Sequence, residues 1–383
     1  MTIFFCYESN SGGETVATEA IERELSKFPH TTVLSHSLSP LLHTDFLRFF
    51  LWVFDSIIQW MNIICQNSKA DWIYTTTYTA GVAAVILKPF FKYHIVWHFH
   101  GSRIPPPPHR LLGKTYITQA MKYKVVRNLH TFFVKRMDLI FVPSVQGKQW
   151  LLDIIPIPYK SKIRIIPNGV DLGKYHLLSE NKRYLLRKKY GFERHAHVLL
   201  SIARLEKHKG LETLVQVVME LFHADPNIRL CIVFPHPITE SEKTYKKRLG
   251  QFIGEHALER IVTLAEEPSH IEDYYHIADC TVSLSQLEFF PLTMLESFAC
   301  GTPYMGFPLG NTDTFLSHID KQLVIKDGSI GNISRQINHV LFSTVMQRRM
   351  LQKKGCRFAG KFTWSETVRS LLEDITVFEE KNQ

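Results

Sequence analysis

Short apolar segments alternate with helical patterns along most of the chain, and the alternation runs twice. In the first half, Ile3 to Cys6, Thr32 to Leu34, Trp72 to Tyr74, His94 to Phe99 and Leu139 to Ser144 read as strands. A glycine turn at Ser11 to Thr15 precedes a helix over Val16 to Phe28, and further helices are expected over Ala80 to Leu87 and Val145 to Leu152. The strand at Lys162 to Ile166 runs into the turn Asn168-Gly169-Val170-Asp171, and the polar stretch Leu172 to His195 reads as a linker. Alternation then restarts. Strands are expected at Val198 to Ile202, Arg229 to Phe234, Ile261 to Leu264 and Thr281 to Leu284, with helices over Leu211 to Phe222, Lys243 to Glu255 and Ile271 to Ile277 between them. Strand–helix alternation predicts an α/β chain with parallel, doubly wound sheets. A length of 383 residues exceeds one hydrophobic core and agrees with two domains. We place them at 1–172, completed by a terminal helix over 364–383, and at 173–363. In such sheets ligands bind beyond the carboxyl ends of the strands, so a cleft between the two domains is the expected place for chemistry.

Composition narrows the class. A hydrophobic share of 45% with 21% charged residues describes a globular chain. The six cysteines are scattered without a C-x-x-C pair, which argues against a zinc site or a disulfide framework and suits a reducing cytoplasm. Met1 to Asn10 lacks the basic region and apolar length of a signal peptide. The net charge of +9 is unevenly spread: Trp72 to Met137 holds no Asp or Glu, while ten Lys and Arg lie between Lys88 and Arg136. Tyr116, Tyr123, Phe132 and Phe133 interleave them. Such a segment either is a solvated basic face or meets an anionic partner, phospholipid or nucleic acid. Phe46 to Cys65 is interrupted by Arg48 and Asp55, and its apolar residues recur at helical spacing. It reads as an amphipathic helix, and no membrane span is expected.

Two acids carry the most functional information. Glu288 follows the Thr281 strand, and Pro291 permits a helix whose buried stripe is Leu292, Leu295, Phe298 and Ala299. Gly301 and Pro303 end that helix. Glu288 therefore lies at a strand-to-helix corner and Glu296 about one turn into the helix. The free N–H groups at the helix start form an anion site between the acids. Two acids alone are more often solvated on a surface helix, but the neighbouring motifs weigh against that. Arg204 and Lys209 leave the carboxyl end of the strand at Val198, where a guanidinium and an ammonium suit a diphosphate. His94, His98 and His100 alternate onto one strand face. Three imidazoles can ligate a metal, yet no acid or cysteine lies nearby in sequence, so His94 and His98 read as structural.

Taken in order, Asn168 to Asp171, Arg204 to Gly210, Glu288 to Glu296 and Ala299 to Pro303 resemble the retaining GT-B glycosyltransferases, specifically glycosyltransferase family 4 (glycosyl transferases group 1). The resemblance runs from the Gly12-Gly13 loop to Phe362-Thr363-Trp364 and implies two Rossmann-like domains of GT-B architecture. It implies that Arg204 and Lys209 hold the donor diphosphate and that the N–H groups of Leu292 and Thr293 donate to its phosphates. By the same resemblance Glu296 binds the nucleotide ribose, Glu288 lies near the transferred sugar, Gly12 and Gly13 approach the donor phosphates, and His100 contacts the donor sugar. There are two departures. Phe234-Pro235-His236-Pro237 stands where the family has a glycine pair, and Leu309 to Asp313 where it has Gly-Gly and an acid.

The expected activity is transfer of a hexose from a nucleotide-diphosphate sugar to a glycan or lipid-linked acceptor. Retention, by the resemblance, arises from front-face attack assisted by the leaving phosphate. No D-x-D occurs in the chain, so no metal or other cofactor is expected; Arg204, Lys209 and the helix start supply the positive charge. The basic segment 88–136 is expected to meet an anionic membrane and not nucleic acid, which places the protein in the cytoplasm, peripheral at the membrane face. Two alternatives are a sugar-nucleotide epimerase of the same architecture and a non-catalytic basic protein binding membrane or nucleic acid.

Overall fold

The computed structural model describes residues 1–8, 13–38, 46–67, 69–100, 128, 131–154, 157–266 and 268–382. The chain forms two compact units, Met1–Pro167 with Thr367–Gln383, and Asn168–Glu366. Each contains one all-parallel sheet with its own buried core.

In the first unit, strands β1 (Thr2–Glu8), β2 (Thr32–Leu38), β3 (Trp72–Thr75), β4 (His94–His98), β5 (Leu139–Val142) and β6 (Ile163–Ile165) lie in the order 2-1-3-4-5-6. Strands β3 and β5 are buried along their whole length, as expected of strands covered by helices on both faces. Helix α1 (Gly13–Leu25) begins three residues earlier than the periodicity suggested, so Gly13, Glu14 and Thr15 are helical and not a turn. Glu14 in the first turn favours this start through the helix dipole, and its carbonyl accepts from the Thr18 hydroxyl at 2.8 Å. Helix α2 (Phe46–Gln66) buries Trp60 and Ile64, one turn apart, and leaves Phe54 66% exposed. Helix α3 (Tyr78–Leu87) is capped by Thr77, whose side chain accepts from the Ala80 N–H, and α4 spans Val145–Ile154.

The polar stretch read as a linker is instead part of the second unit and carries helix α5 (Glu180–Lys189). This helix lacks an apolar stripe and is held by charge. Arg183 and Arg187 pair with the two oxygens of Asp279 at 2.7 and 2.6 Å, and Arg187 also donates to the Ile277 and Ala196 carbonyls. Hydrophobic periodicity cannot report a helix anchored by guanidinium groups.

Strands β7 (His197–Ile202), β8 (Ile228–Phe234), β9 (Val262–Glu266), β10 (Cys280–Ser283) and β11 (Tyr304–Gly306) form the second sheet in the order 11-10-7-8-9. Its helices are α6 (Leu211–Ala224), α7 (Glu240–Glu255), α8 (Ile271–Ile277), α9 (Leu292–Ala299), α10 (Thr312–Ile319), α11 (Ile330–Leu341) and α12 (Val345–Ala359). Capping boxes start α7 at Thr239 and α12 at Thr344. The last helix, α13 (Trp364–Asn382), returns to the first unit, where Asp374 accepts from Arg164 at 3.0 Å and Glu379 from the Trp72 indole at 2.8 Å. In both sheets the strand order reverses beside the first strand, between β1 and β3 and between β7 and β10. These are the switch points at which doubly wound sheets open a ligand crevice.

Candidate functional site

The switch point of the second sheet gathers most of the residues singled out by sequence. Strand β7 leads to Arg204 and Lys209, and the adjacent β10 leads to Glu288 and α9. Backbone packing locks the two exit loops together: the Gln286 N–H donates to the His208 carbonyl at 2.8 Å. Gly210, at φ +69°, passes so close that a Cβ there would lie 2.6 Å from the Leu284 oxygen. Glu288 is seated from the other side by Gly310, at φ +58°, where a Cβ would come within 2.6 Å of the Glu288 and Phe289 carbonyls. The turn Leu309 to Asp313, a departure from the family pattern, thus supports the acid.

The charges of this rim are internally matched. Lys209 Nζ lies 2.7 Å from Glu288 Oε1, both side chains mostly buried. Arg204 Nη1 lies 3.0 Å from Glu206 Oε1, while His208 Nδ1 is 3.2 Å from the other oxygen of Glu206. Burial, followed by the Lys209 charge, lowers the His208 pKa. An ammonium carries three N–H donors, so Lys209 can keep Glu288 and still donate to an arriving phosphate oxygen.

Helix α9 supplies the second element. Its N-cap is Pro291, and no side chain caps it, so the first N–H groups, those of Leu292 and Thr293, are left for a ligand. Buried Tyr304 hydrogen-bonds with the Thr293 and Ser283 side chains and feels the Glu288 charge. The helix closes as expected, with the Gly301 and Thr302 N–H groups bonded to the Phe298 and Ser297 carbonyls. Asn168 steadies the helix start through its side-chain N–H to the Phe290 carbonyl at 3.4 Å.

Glu296 has partners that the sequence did not reveal. The Tyr275 hydroxyl donates to its Oε2 at 2.5 Å and the Tyr175 hydroxyl also bonds to it. Burial nevertheless dominates and raises the Glu296 carboxyl pKa above the ordinary value. Tyr175, Tyr275 and Glu206 are the residues missed by sequence reasoning. Glu206 sits in plain view between Arg204 and Lys209, whereas the tyrosines read as core.

The remaining residues belong to the first unit. Gly13 opens α1 and is exposed, and Gly12 lies outside the described residues. His98 is fully buried and its Nδ1 is hydrogen-bonded to the Tyr74 hydroxyl. The His98 and His100 rings lie 4.0 Å apart at 31°, two residues past one another along the chain. Burial pushes the His100 pKa down to about 4 and that of His98 well below its ordinary value, so both imidazoles are neutral at pH 7. The His100 Nε2 is buried with no partner among the described residues. His94 does not join them. It packs on Trp72 and Phe378 with centroids at 4.9 and 5.1 Å. Among the described residues no group of three or more His, Cys, Asp or Glu is arranged to hold a metal.

Comparison with known proteins bears on the family and the fold. The family described as Glycosyltransferase Family 4 matches residues 13–174, and Glycosyl transferases group 1 matches residues 183–356. The chain is 25% identical over 260 residues to a lipopolysaccharide 1,2-N-acetylglucosaminetransferase of Salmonella typhimurium, covering 66% of each. It is 27% identical over 225 residues to a D-inositol 3-phosphate glycosyltransferase of Geodermatophilus obscurus, covering 57% of this chain and 48% of that one. The matched stretches thus span about half to two thirds of these relatives. Among solved structures, Anabaena HepE with UDP and glucose is similar at TM-score 0.77 and 18% identity, covering 98% of this chain and 99% of that one. The sucrose-phosphate synthase of Thermosynechococcus elongatus is similar at TM-score 0.81 and 17% identity, with 99% of each chain covered.

Proposed function

We propose that this chain, which belongs to the glycosyltransferases of family 4 and group 1 and has their GT-B fold, moves a sugar from a nucleotide-diphosphate donor to a glycan or lipid-linked acceptor with retention of configuration. One observation carries the reading: Arg204, Lys209, Glu288 and the uncapped start of α9 converge on the β7–β10 switch point. There Arg204 and Lys209 hold the diphosphate and neutralise the charge that develops as it departs. The Leu292 and Thr293 N–H groups take further phosphate oxygens. Glu288, anchored by Lys209, faces the transferred sugar, and Glu296 accepts from the ribose hydroxyls. By the family resemblance His100, neutral and with no Nε2 partner among the described residues, is assigned to the donor sugar, and Gly13, with Gly12 before it, to the donor phosphates. Catalysis then comes from holding donor and acceptor together and from a preorganised cationic site, without a divalent ion.

The test is a thermal-shift panel of UDP-, GDP- and ADP-sugars followed by assay of nucleotide diphosphate release with candidate acceptors. A bound donor raises the melting temperature by linkage. Arg204→Ala should remove both the shift and the turnover, and turnover that survives EDTA supports the metal-free reading. No shift with any donor, or unchanged turnover in the variant, overturns it.

The acceptor side is proposed to meet an anionic membrane through the segment 88–136, with the protein cytoplasmic and peripheral. Support comes from the described ends of that segment, where Phe90 is 77% and Phe132 40% exposed beside Lys92 and Arg136. Lys88 is not available for this contact, being paired with Asp138 at 2.5 Å. Most of the segment lies outside the described residues. Sedimentation with phosphatidylglycerol vesicles should be lost as salt rises; absence of binding at low salt sinks the proposal.

A further inference from the structure

We propose that the second unit carries an effector site for a small amphipathic anion, an organophosphate or carboxylate with a short apolar body, on the sheet rim opposite Lys209 and Glu288. A cavity of about 450 Å³ opens there, lined by Asp279 just before β10, Pro303 just before β11 and the carboxyl end of α9. That size and a mostly apolar wall are those of small-molecule sites. Leu177 and Val345, 50% and 58% exposed, line it without being covered by the chain.

Its charged lining holds two carboxylates, Glu180 at the start of α5 and the paired Asp279, against three guanidinium groups. Arg183 is engaged through Nε with the His276 carbonyl at 2.8 Å and through Nη2 with the Ala278 carbonyl and Asp279, each at 2.7 Å. Arg348 and Arg349 also line the cavity, and their guanidinium groups make no hydrogen bond or ion pair among the described residues. Two unpaired guanidinium forks beside an apolar wall fit an anionic head on an apolar body.

This cavity is wired to the candidate donor site by two hydrogen bonds. Its lining residue Thr302 donates through its hydroxyl to the Tyr275 carbonyl at 2.7 Å. Tyr275 in turn donates to Glu296 at 2.5 Å. Helix α9 runs between the same two places, from Leu292 and Thr293 to Cys300. A ligand that shifts Thr302 therefore changes how Tyr275 holds the carboxylate, and donor affinity changes with it. This coupling, unlike the site itself, rests on the donor role proposed for Glu296.

Calorimetry on the full chain tests both. Octyl phosphate and octanoate distinguish the two head groups, and inorganic phosphate and octanol supply head and tail alone. At least one amphiphile should bind ten-fold more tightly than either part, and Arg348→Ala with Arg349→Ala should weaken it ten-fold while UDP binding is kept. Arg204→Ala should leave amphiphile binding intact. Equal binding by the double variant, or loss of binding in Arg204→Ala, overturns the site. A saturating amphiphile should shift the UDP Kd at least two-fold, an effect lost in Thr302→Val and kept in Thr302→Ser, which retains the hydroxyl. An unchanged UDP Kd overturns the coupling. Absence of UDP binding throughout, with amphiphile binding intact, would count against the donor assignment alone.

Discussion

Lys209 and Glu288, 79 residues apart in sequence, form an ion pair of 2.7 Å at the carboxyl rim of the second sheet. Each is the other's ion-pair partner, so the carboxylate proposed to face the sugar is positioned by the ammonium proposed to meet the diphosphate. Breaking a mostly buried pair from one side leaves an uncompensated charge.

Lys209→Met is therefore expected to lower kcat/KM by about 100-fold or more. Glu288→Gln should fall less in donor affinity than in kcat. The double variant should lose no more than the worse single, because the residues act as a unit. Steady-state rates of nucleotide diphosphate release check this, and losses that multiply would separate the two roles.

If Glu296 binds the ribose as proposed, donor binding is expected to be sensitive to mild acid. Burial raises its carboxyl pKa, so the proton returns above the ordinary carboxylate range as pH falls. Linkage fixes the sign for the fold: the native state binds this proton more tightly, so stability from this group is full below the unfolded pKa and lost as pH rises through the native one. For function the sign is opposite, since the ionised form is the better acceptor of ribose hydroxyls. The UDP Kd measured by calorimetry should weaken from pH 7.5 to 5.5 in the wild type and stay flat in Glu296→Gln. Tyr275→Phe, which removes a donor to the carboxylate, should move the onset to higher pH.

Gly310→Ala tests the support of Glu288. The left-handed backbone and the 2.6 Å approach of two carbonyls leave no room for a methyl group. We expect destabilisation of more than about 1 kcal/mol and a fall in kcat/KM, read from urea melts and turnover together. Lost stability with full turnover would mean that Gly310 is a packing residue only.

Arg187→Met tests the charge-anchored helix α5. Arg187 is 8% exposed and ties Asp279 to the Ile277 and Ala196 carbonyls. Removing one partner of such a pair costs about 3–5 kcal/mol, visible as a lower urea midpoint. If Asp279→Asn together with Arg187→Met recovers much of that loss, the cost came from the uncompensated charge.

The sequence by itself determined what is encoded over a few residues. Apolar runs of strand length placed the two parallel sheets, and Pro291, the Leu292 to Ala299 stripe and Gly301 placed helix α9 with Glu288 before it and Glu296 within it. Arg204 and Lys209 were legible because they leave a strand at its carboxyl end. Only the tertiary structure decided which groups meet. Adjacency of β7 and β10 at a switch point joins Lys209 to Glu288, and packing brings Tyr175 and Tyr275 to Glu296. Helix α5 was hidden for the same reason, since Arg183 and Arg187 find their carboxylate at Asp279, more than 90 residues away. Periodicity reports which face of an element is apolar; the partner of a buried charge depends on strand order, which no local pattern contains.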